Sequence, residues 1–139
     1  RQMCIRDSHD LMCHLRAEKV AKIPVPDVEV QGCADDADLL IVGFGGTYGH
    51  LYSAMEEMNK AGKKVALAHF TYLNPLPKNT ETVLKKYKKV VVAEQNLGQF
   101  AGYLRMKIDN FTPYQFNEVK GQPFVVAELV AAFNKLIDN

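Results

Sequence analysis

The sequence of 139 residues contains no tryptophan and only three cysteines, Cys4, Cys13 and Cys33. Their number is odd and no two of them form a C-x-x-C pair. This spacing argues against a disulfide framework and matches no zinc or iron–sulfur motif. A reducing, cytoplasmic setting is the simplest interpretation. No apolar run approaches the roughly 20 residues of a membrane-spanning helix, so we expect no membrane partner.

The sequence also lacks an excess of charge of either sign. Its 17 Lys and Arg residues face 16 Asp and Glu residues, giving a formal net charge of +1. A nearly neutral chain has no field that would recruit nucleic acid, so we expect no nucleic-acid partner.

Residues 1–8 show neither helical nor strand periodicity and resemble translated adapter sequence. We expect them to be non-native, and the chain to be a fragment whose upstream part is missing. Residues 9–27 are predicted to form a linker helix, His9–Ile23, and a connection, because Pro24 and Pro26 stop the helical pattern. Residues 28–139 are predicted to form one domain.

Three apolar segments alternate with amphipathic helical patterns: Leu39–Phe44, Val65–Phe70 and Val90–Glu94. Buried strands joined by helices predict a parallel sheet that is covered on both faces. Val28–Val30 and Tyr114–Val119 are predicted to be edge strands.

Four helices are predicted around this sheet. The first begins near Tyr48 and stops at Gly62, and the second is capped by Asn79. The third contains the apolar positions from Phe100 to Ile108, and a closing helix contains those from Val126 to Ile137.

The first buried strand ends in a glycine-rich turn, residues 43–49. Tyr48 occupies the third glycine position of the G-x-G-x-x-G dinucleotide motif, no acidic residue closes the second strand, and the lysine of a P-loop is missing. We interpret the turn as a device that lets a helix approach the sheet. A weak anion site, built from backbone N–H groups and the Thr47 hydroxyl, stays open as an alternative.

Polar residues follow the third buried strand. Asn96 and Gln99 have the spacing of a capping box. Glu94 lies where chemistry or a domain contact would occur, and its carboxylate is either a catalytic acid or an acceptor for hydrogen bonds from a neighbouring domain.

No other residues combine into a catalytic or metal site. His69 is interpreted as a core or interface histidine and His50 as an exposed one, since no Ser, Cys or Asp is spaced to form a nucleophile–base pair with either. Asp35, Asp36 and Asp38 are interpreted as a solvated turn. We therefore predict no catalytic, cofactor-binding or metal-binding residue in this chain.

Four motifs occur in a fixed order: GFGGTYG at 43–49, YLNPLP at 72–77, EQNLGQ at 94–99 and GQPF at 121–124. Together they resemble the carboxy-terminal domain of the α subunit of 2-oxoacid:ferredoxin oxidoreductases, and in particular the 2-oxoglutarate type. The resemblance runs from about residue 9 to the end of the chain.

The resemblance implies a fold like the transketolase C-terminal domain, a three-layer α/β/α sandwich. Its five-stranded sheet is mostly parallel with one antiparallel edge strand, here Val28–Val30. The strand order would reverse between the strands that begin at Leu39 and Val90. The loops Gly45–Tyr48 and Glu94–Asn96 would then face each other.

The resemblance also implies a function. Enzymes of this family oxidatively decarboxylate a 2-oxoacid, form an acyl-CoA from coenzyme A and reduce ferredoxin, with thiamine diphosphate, Mg and an iron–sulfur cluster as cofactors. We expect those cofactors to be held elsewhere in the enzyme and the fragment alone to be inactive. Its expected partners are the β subunit and the upstream α-subunit domain, with ferredoxin reached through the whole complex.

Residues just past the carboxyl ends of the buried strands are the candidates for that interface. They are Gly45, Thr47, Tyr48, Asn74, Glu94, Asn96 and Gln99. Two alternatives remain at this point: a stand-alone nucleotide- or anion-binding module, and the C-terminal domain of a transketolase or of a dehydrogenase E1 β subunit.

Overall fold

The three apolar segments form the three central strands of one sheet, with the bounds that the sequence predicts. The computed structural model describes residues 25–73, 76–95, 97–118 and 123–138. The predicted linker helix and the suspected non-native residues 1–8 lie outside this part of the chain, and so do Asn74 and Asn96.

Five strands and four helices form within the described residues. In chain order they are β1 (Val30–Gly32), β2 (Leu39–Phe44), α1 (Tyr48–Lys60), β3 (Val65–Phe70), α2 (Thr80–Lys86), β4 (Val90–Glu94), α3 (Gln99–Lys107), β5 (Tyr114–Asn117) and α4 (Val126–Asp138). A single 3₁₀ turn, Gly45–Thr47, joins β2 to α1.

The strands lie in the order β1-β3-β2-β4-β5. Strands β3, β2, β4 and β5 are parallel, whereas β1 pairs antiparallel with β3 at the edge. Val42 of the central strand β2 pairs with Ala68 on one side and with Val92 on the other. The order reverses between β2 and β4, which confirms the mixed sheet and the reversal point that the resemblance implied.

Alternate side chains of the central strands enter two separate cores. Leu40 and Val42 pack with residues of α2 and α3, including Leu84 and Leu104. Leu39, Ile41 and their neighbours on β3 and β4 pack with α1 and α4 on the opposite face. The two cores give the three-layer α/β/α arrangement, because each face of a buried sheet must be covered.

The first edge strand lies two residues later than predicted, and Asn79 explains why. The Asn79 side chain accepts the Val28 N–H at 2.9 Å and donates to the Val28 carbonyl at 2.9 Å. Both backbone polar groups of Val28 are therefore hydrogen-bonded to the Asn79 side chain and not to a strand. Pairing with β3 begins at Val30. Asn79 stands at the N-cap position of α2 without a side-chain capping bond, so its predicted capping role was wrong.

The second edge strand, β5, ends at Asn117 within the described residues, whereas the sequence predicted an end at Val119. Buried and exposed side chains hardly alternate along β5, because only Phe116 is partly buried and the other three residues are exposed. The Phe116 ring packs against Phe124 at 5.7 Å and Phe133 at 6.1 Å between ring centroids.

Candidate functional site at the carboxyl edge of the sheet

The parallel strands β2, β3 and β4 all end at one edge of the sheet. Three segments therefore lie side by side there: the 3₁₀ turn after β2, residues 71–73 after β3, and residues 95, 97 and 98 after β4. The carboxyl edge at a reversal of strand order is where open α/β sheets form their crevices.

The glycine-rich turn holds α1 close to the sheet. A Cβ on Gly43 would overlap the buried Leu51 side chain, so only glycine allows this helix–strand distance. Gly45 adopts a φ of +68° that favours glycine, and its surroundings are open. The turn thus acts as the predicted device for close packing.

Thr47 does not provide the hydroxyl of an anion site. Its Oγ1 donates to the Phe44 carbonyl at 3.0 Å, and the residue is only 6% exposed. The hydroxyl hydrogen is used to close the 3₁₀ turn, so the alternative that relied on it was wrong.

Tyr48 begins α1 and stands at the surface of this edge. Its hydroxyl donates to Gln31 Oε1 at 2.8 Å, linking α1 to the edge strand β1. Its ring stacks on Tyr52, with centroids 5.7 Å apart, and meets the His69 ring edge-on at 5.1 Å.

His69 lies half-buried near the end of β3. Burial lowers the pKa of its imidazole below the ordinary value of 6.5, and a hydrogen bond with the Gly45 backbone partly offsets this effect. Its Nε2 atom is buried and makes no hydrogen bond with any described residue. Burial therefore favours the neutral form of this side chain, which lies between α1 and the sheet.

A cleft of about 400 Å³ opens beside His69. Its walls come from the segment that leads into β1, from Tyr48, from the residues after β3, and from Pro77. Tyr48 and Gln31 also line a second cleft, of about 480 Å³, which residues of α1 and β1 form together. The Tyr48–Gln31 hydrogen bond therefore lies between the two clefts.

Glu94 is completely buried, and its carboxylate is satisfied inside this domain. Oε1 accepts the Phe100 N–H and Oε2 accepts the Ala101 N–H, each at 3.0 Å. These are N–H groups of the first turn of α3, which have no partner within the helix. The prediction that a neighbouring domain would donate to this carboxylate was wrong, because the helix that follows the strand does so.

The predicted capping box is also corrected. Helix α3 begins at Gln99, and Gly98 occupies the N-cap position with a φ of +98°. Gln99 is therefore the first helical residue and exposed, too early to serve as the third helical residue that a capping box needs. The buried Glu94 carboxylate takes the place of a local cap.

Two exposed residues of this edge are absent from the candidates that the sequence predicts. Tyr72 is 47% exposed after β3, and Leu97 is 77% exposed after β4. With Tyr48, 39% exposed after β2, they place one large apolar side chain at the end of each of three neighbouring strands. The available signal was a large apolar residue in a short loop directly after a buried strand.

The aspartate turn between β1 and β2 is solvated and paired with lysines. Asp36 lies 2.9 Å from Lys64, and this pair lowers the pKa of the Asp36 carboxyl. Nowhere in the described ranges do three His, Cys, Asp or Glu side chains come together as a metal site would require. The same residues include no helix with the length and apolar character needed to span a membrane.

Comparison with known proteins places this geometry in a family. A sequence profile described as pyruvate:ferredoxin oxidoreductase core domain II matches residues 37–126. The 2-oxoglutarate oxidoreductase subunit KorA of Mycobacterium tuberculosis is 44% identical over 124 residues, which is 88% of this chain and 18% of that protein. The α subunit of 2-oxoacid:ferredoxin oxidoreductase 2 of Aeropyrum pernix is 28% identical, over 88% of this chain and 20% of its own length.

Solved structures show the same fold. The 2-oxoglutarate:ferredoxin oxidoreductase of Magnetococcus marinus, determined with 2-oxoglutarate, coenzyme A and succinyl-CoA bound, superposes with a TM-score of 0.80 at 28% identity, over 93% of this chain and 23% of that one. A split-gene transketolase superposes with a TM-score of 0.60 at 16% identity, over 84% of this chain and 44% of that one. The second similarity shows the transketolase-like fold alone. The chain spans about a fifth of the oxidoreductase subunits that it matches.

Proposed function

This chain belongs to the family of pyruvate:ferredoxin oxidoreductase core domain II, and we propose that it serves as the assembly domain of the α subunit of a 2-oxoglutarate:ferredoxin oxidoreductase. The proposed reaction of the whole enzyme is oxidative decarboxylation of 2-oxoglutarate to its acyl-CoA, with electrons passed to ferredoxin. The 44% identity to a 2-oxoglutarate oxidoreductase subunit supports this choice of substrate.

The chemistry belongs to other parts of that enzyme in this proposal. Thiamine diphosphate, Mg²⁺ and an iron–sulfur cluster are the cofactors that the family implies. The described residues contain no group of three metal-ligating side chains and only one cysteine, Cys33, so they do not fit a resident metal ion or an iron–sulfur cluster. Glu94 is not free to act as an acid, since both of its oxygens accept backbone hydrogen bonds. The domain alone is proposed to be inactive.

The main support for the assembly role is a set of exposed apolar side chains at the carboxyl edge of the sheet. Tyr48, Tyr72 and Leu97 expose large apolar surfaces at the ends of three adjacent strands, on the edge where this architecture forms its contacts. Apolar side chains grouped in this way favour contact with another protein surface, whereas single scattered ones need no explanation. Gly45 and Gln99, both exposed, belong to the same proposed surface.

The internal hydrogen bonds explain how this surface is held in place. Glu94 ties the end of β4 to the first turn of α3, on either side of the loop that carries Leu97. Tyr48 is held by Gln31 and by its contacts with Tyr52 and His69. Fixing side chains before association lowers the entropic cost of binding, so an ordered edge is suited to a permanent contact.

A chimera tests the proposal. The matching segment of the M. tuberculosis subunit KorA would be replaced by this chain, and the protein expressed with the other subunits of that enzyme. We expect a complex of the native size that reduces ferredoxin in a reaction dependent on 2-oxoglutarate and coenzyme A. A chimera that folds by circular dichroism but fails to assemble would contradict the assembly role. Assembly without turnover on 2-oxoglutarate would contradict the proposed substrate.

A further inference from the structure

The cleft beside His69 carries two carboxylates on one wall. Asp27 and Glu29 are exposed and line it, whereas Val28 between them is buried in the core. Asp27, Glu29 and Gln31 all line the cleft, together with Pro26 and Val28.

The opposite wall is aromatic. Val30 pairs with Ala68 where the antiparallel ladder begins, and the residues next to this pair, Glu29 and His69, both line the cleft. The Tyr48 ring stands against His69, and Tyr72 lines the cleft after β3. Carboxylates and aromatic faces thus lie within one concave site.

The charge of this cleft is not balanced by any residue that the structure describes. Its lining contains no Lys or Arg, and Asp27 and Glu29 form no ion pair with another described residue. The cleft at the opposite edge of the sheet differs, because its three aspartates lie among Lys86, Lys88 and Lys89. The cleft beside His69 therefore offers acceptors and aromatic faces to a cation that is not among the described residues.

We propose that this cleft receives the guanidinium group of an arginine from the polypeptide that adjoins this domain in the assembled enzyme. A guanidinium is planar, so it stacks on the tyrosine rings while its several N–H groups bind carboxylates, a combination that a lysine ammonium does not match. The inference rests on the proposed assembly role and names the chemistry by which one part of that surface is recognised.

A titration of the 139-residue chain with Nα-acetyl-arginine amide tests the proposal by NMR. We expect amide shifts at Glu29, Gln31, His69 and Tyr72, saturating in the millimolar range, and a change in the His69 ring signals. The matched probe is Nα-acetyl-citrulline amide, which has the same shape without the charge. Equal shifts with both probes, or arginine shifts confined to other surfaces, would overturn the proposal.

Two variants with the same change of charge sharpen this test. Glu29→Gln removes a carboxylate of the cleft, and Glu57→Gln removes an exposed one on α1 outside the cleft. We expect the first to weaken arginine binding by about threefold to fivefold, as is typical of an exposed ion pair, and the second to leave it unchanged. Equal effects of the two would refute the site. Failure here while the chimera assembles would reject the arginine site alone, since assembly is measured separately.

Discussion

The carboxylate of Glu94, the last residue of β4, accepts the backbone N–H of Ala101 in the first turn of α3 at 3.0 Å. Its second oxygen accepts the neighbouring N–H of Phe100 at the same distance. A carboxylate at this position faces the positive end of the helix dipole and satisfies two otherwise unpaired donors. This one side chain therefore joins a central strand to the helix that follows it.

Replacing Glu94 should destabilise the domain itself. Glu94→Ala leaves two buried N–H groups without an acceptor and opens a cavity, so we expect a loss of about 3 kcal/mol in the free energy of unfolding. Glu94→Gln keeps the shape but sets an amide NH₂ against one donor, for an expected loss of about 2 kcal/mol. Urea denaturation measures both.

Glu57→Gln is the matched control for Glu94→Gln, because Glu57 is exposed on α1. Its unfolding midpoint should stay within about 0.5 kcal/mol of the parent chain. A Glu94→Gln variant as stable as the parent chain would show that the carboxylate is not needed as a cap.

Asn79 should matter through Val28 and not through α2. Its side chain makes two hydrogen bonds with the Val28 backbone, each of 2.9 Å. Asn79→Ala should cost about 2 kcal/mol and speed hydrogen exchange of the Val28 amide. Asn79→Asp retains the acceptor for that amide, so we expect its exchange to stay closer to that of the parent chain. Faster exchange confined to the α2 amides would instead favour a capping role.

The stability of the domain should depend on pH through His69. Burial lowers its folded-state pKa below 6.5, so near and below that pH the unfolded chain binds a proton that the folded chain does not. Stability should therefore fall as the pH drops through this range and be fully retained above it. Side-chain carboxyl groups ordinarily have pKa values near 4, so protonation of carboxylates falls outside this window.

Urea midpoints at about pH 7.5 and 5.5 test this expectation, since these values lie on either side of an ordinary histidine pKa. The difference between them should shrink in His69→Gln and persist in His50→Gln. The same fall in both variants would show that another group is responsible.

The central sheet was predictable because its strands are buried on both faces. A short apolar segment between helical patterns is typical of a strand that is covered on both faces of a parallel sheet. Strands β2, β3 and β4 have the predicted bounds. The edge strand β1 was harder to place, because its start depends on Asn79, a residue 51 positions from Val28 along the chain. A long-range side-chain bond leaves no local pattern in the sequence.

The sequence predicts which loops lie at the carboxyl edge of the sheet, but not which of their side chains face outwards. Tyr48 is exposed at this edge. Glu94 and Thr47 are buried because their side chains form hydrogen bonds with backbone groups of the adjoining helix and turn, respectively. The capping box failed for a related reason, since α3 begins later than the spacing of Asn96 and Gln99 requires. Which polar residues face outwards depends on such geometry.

The carboxyl edge of the sheet should be covered by another polypeptide segment when the enzyme assembles. Leu97→Cys and Met106→Cys offer a matched pair, since Leu97 is 77% and Met106 73% exposed, and they lie at opposite ends of α3. Maleimide labelling of each variant, mapped by mass spectrometry, would be compared between the isolated chain and the assembled chimera. We predict that assembly slows labelling at position 97 by about tenfold or more, because an interface excludes solvent from its centre, and leaves position 106 unchanged. Undiminished labelling at position 97 in a fully assembled complex would contradict the account.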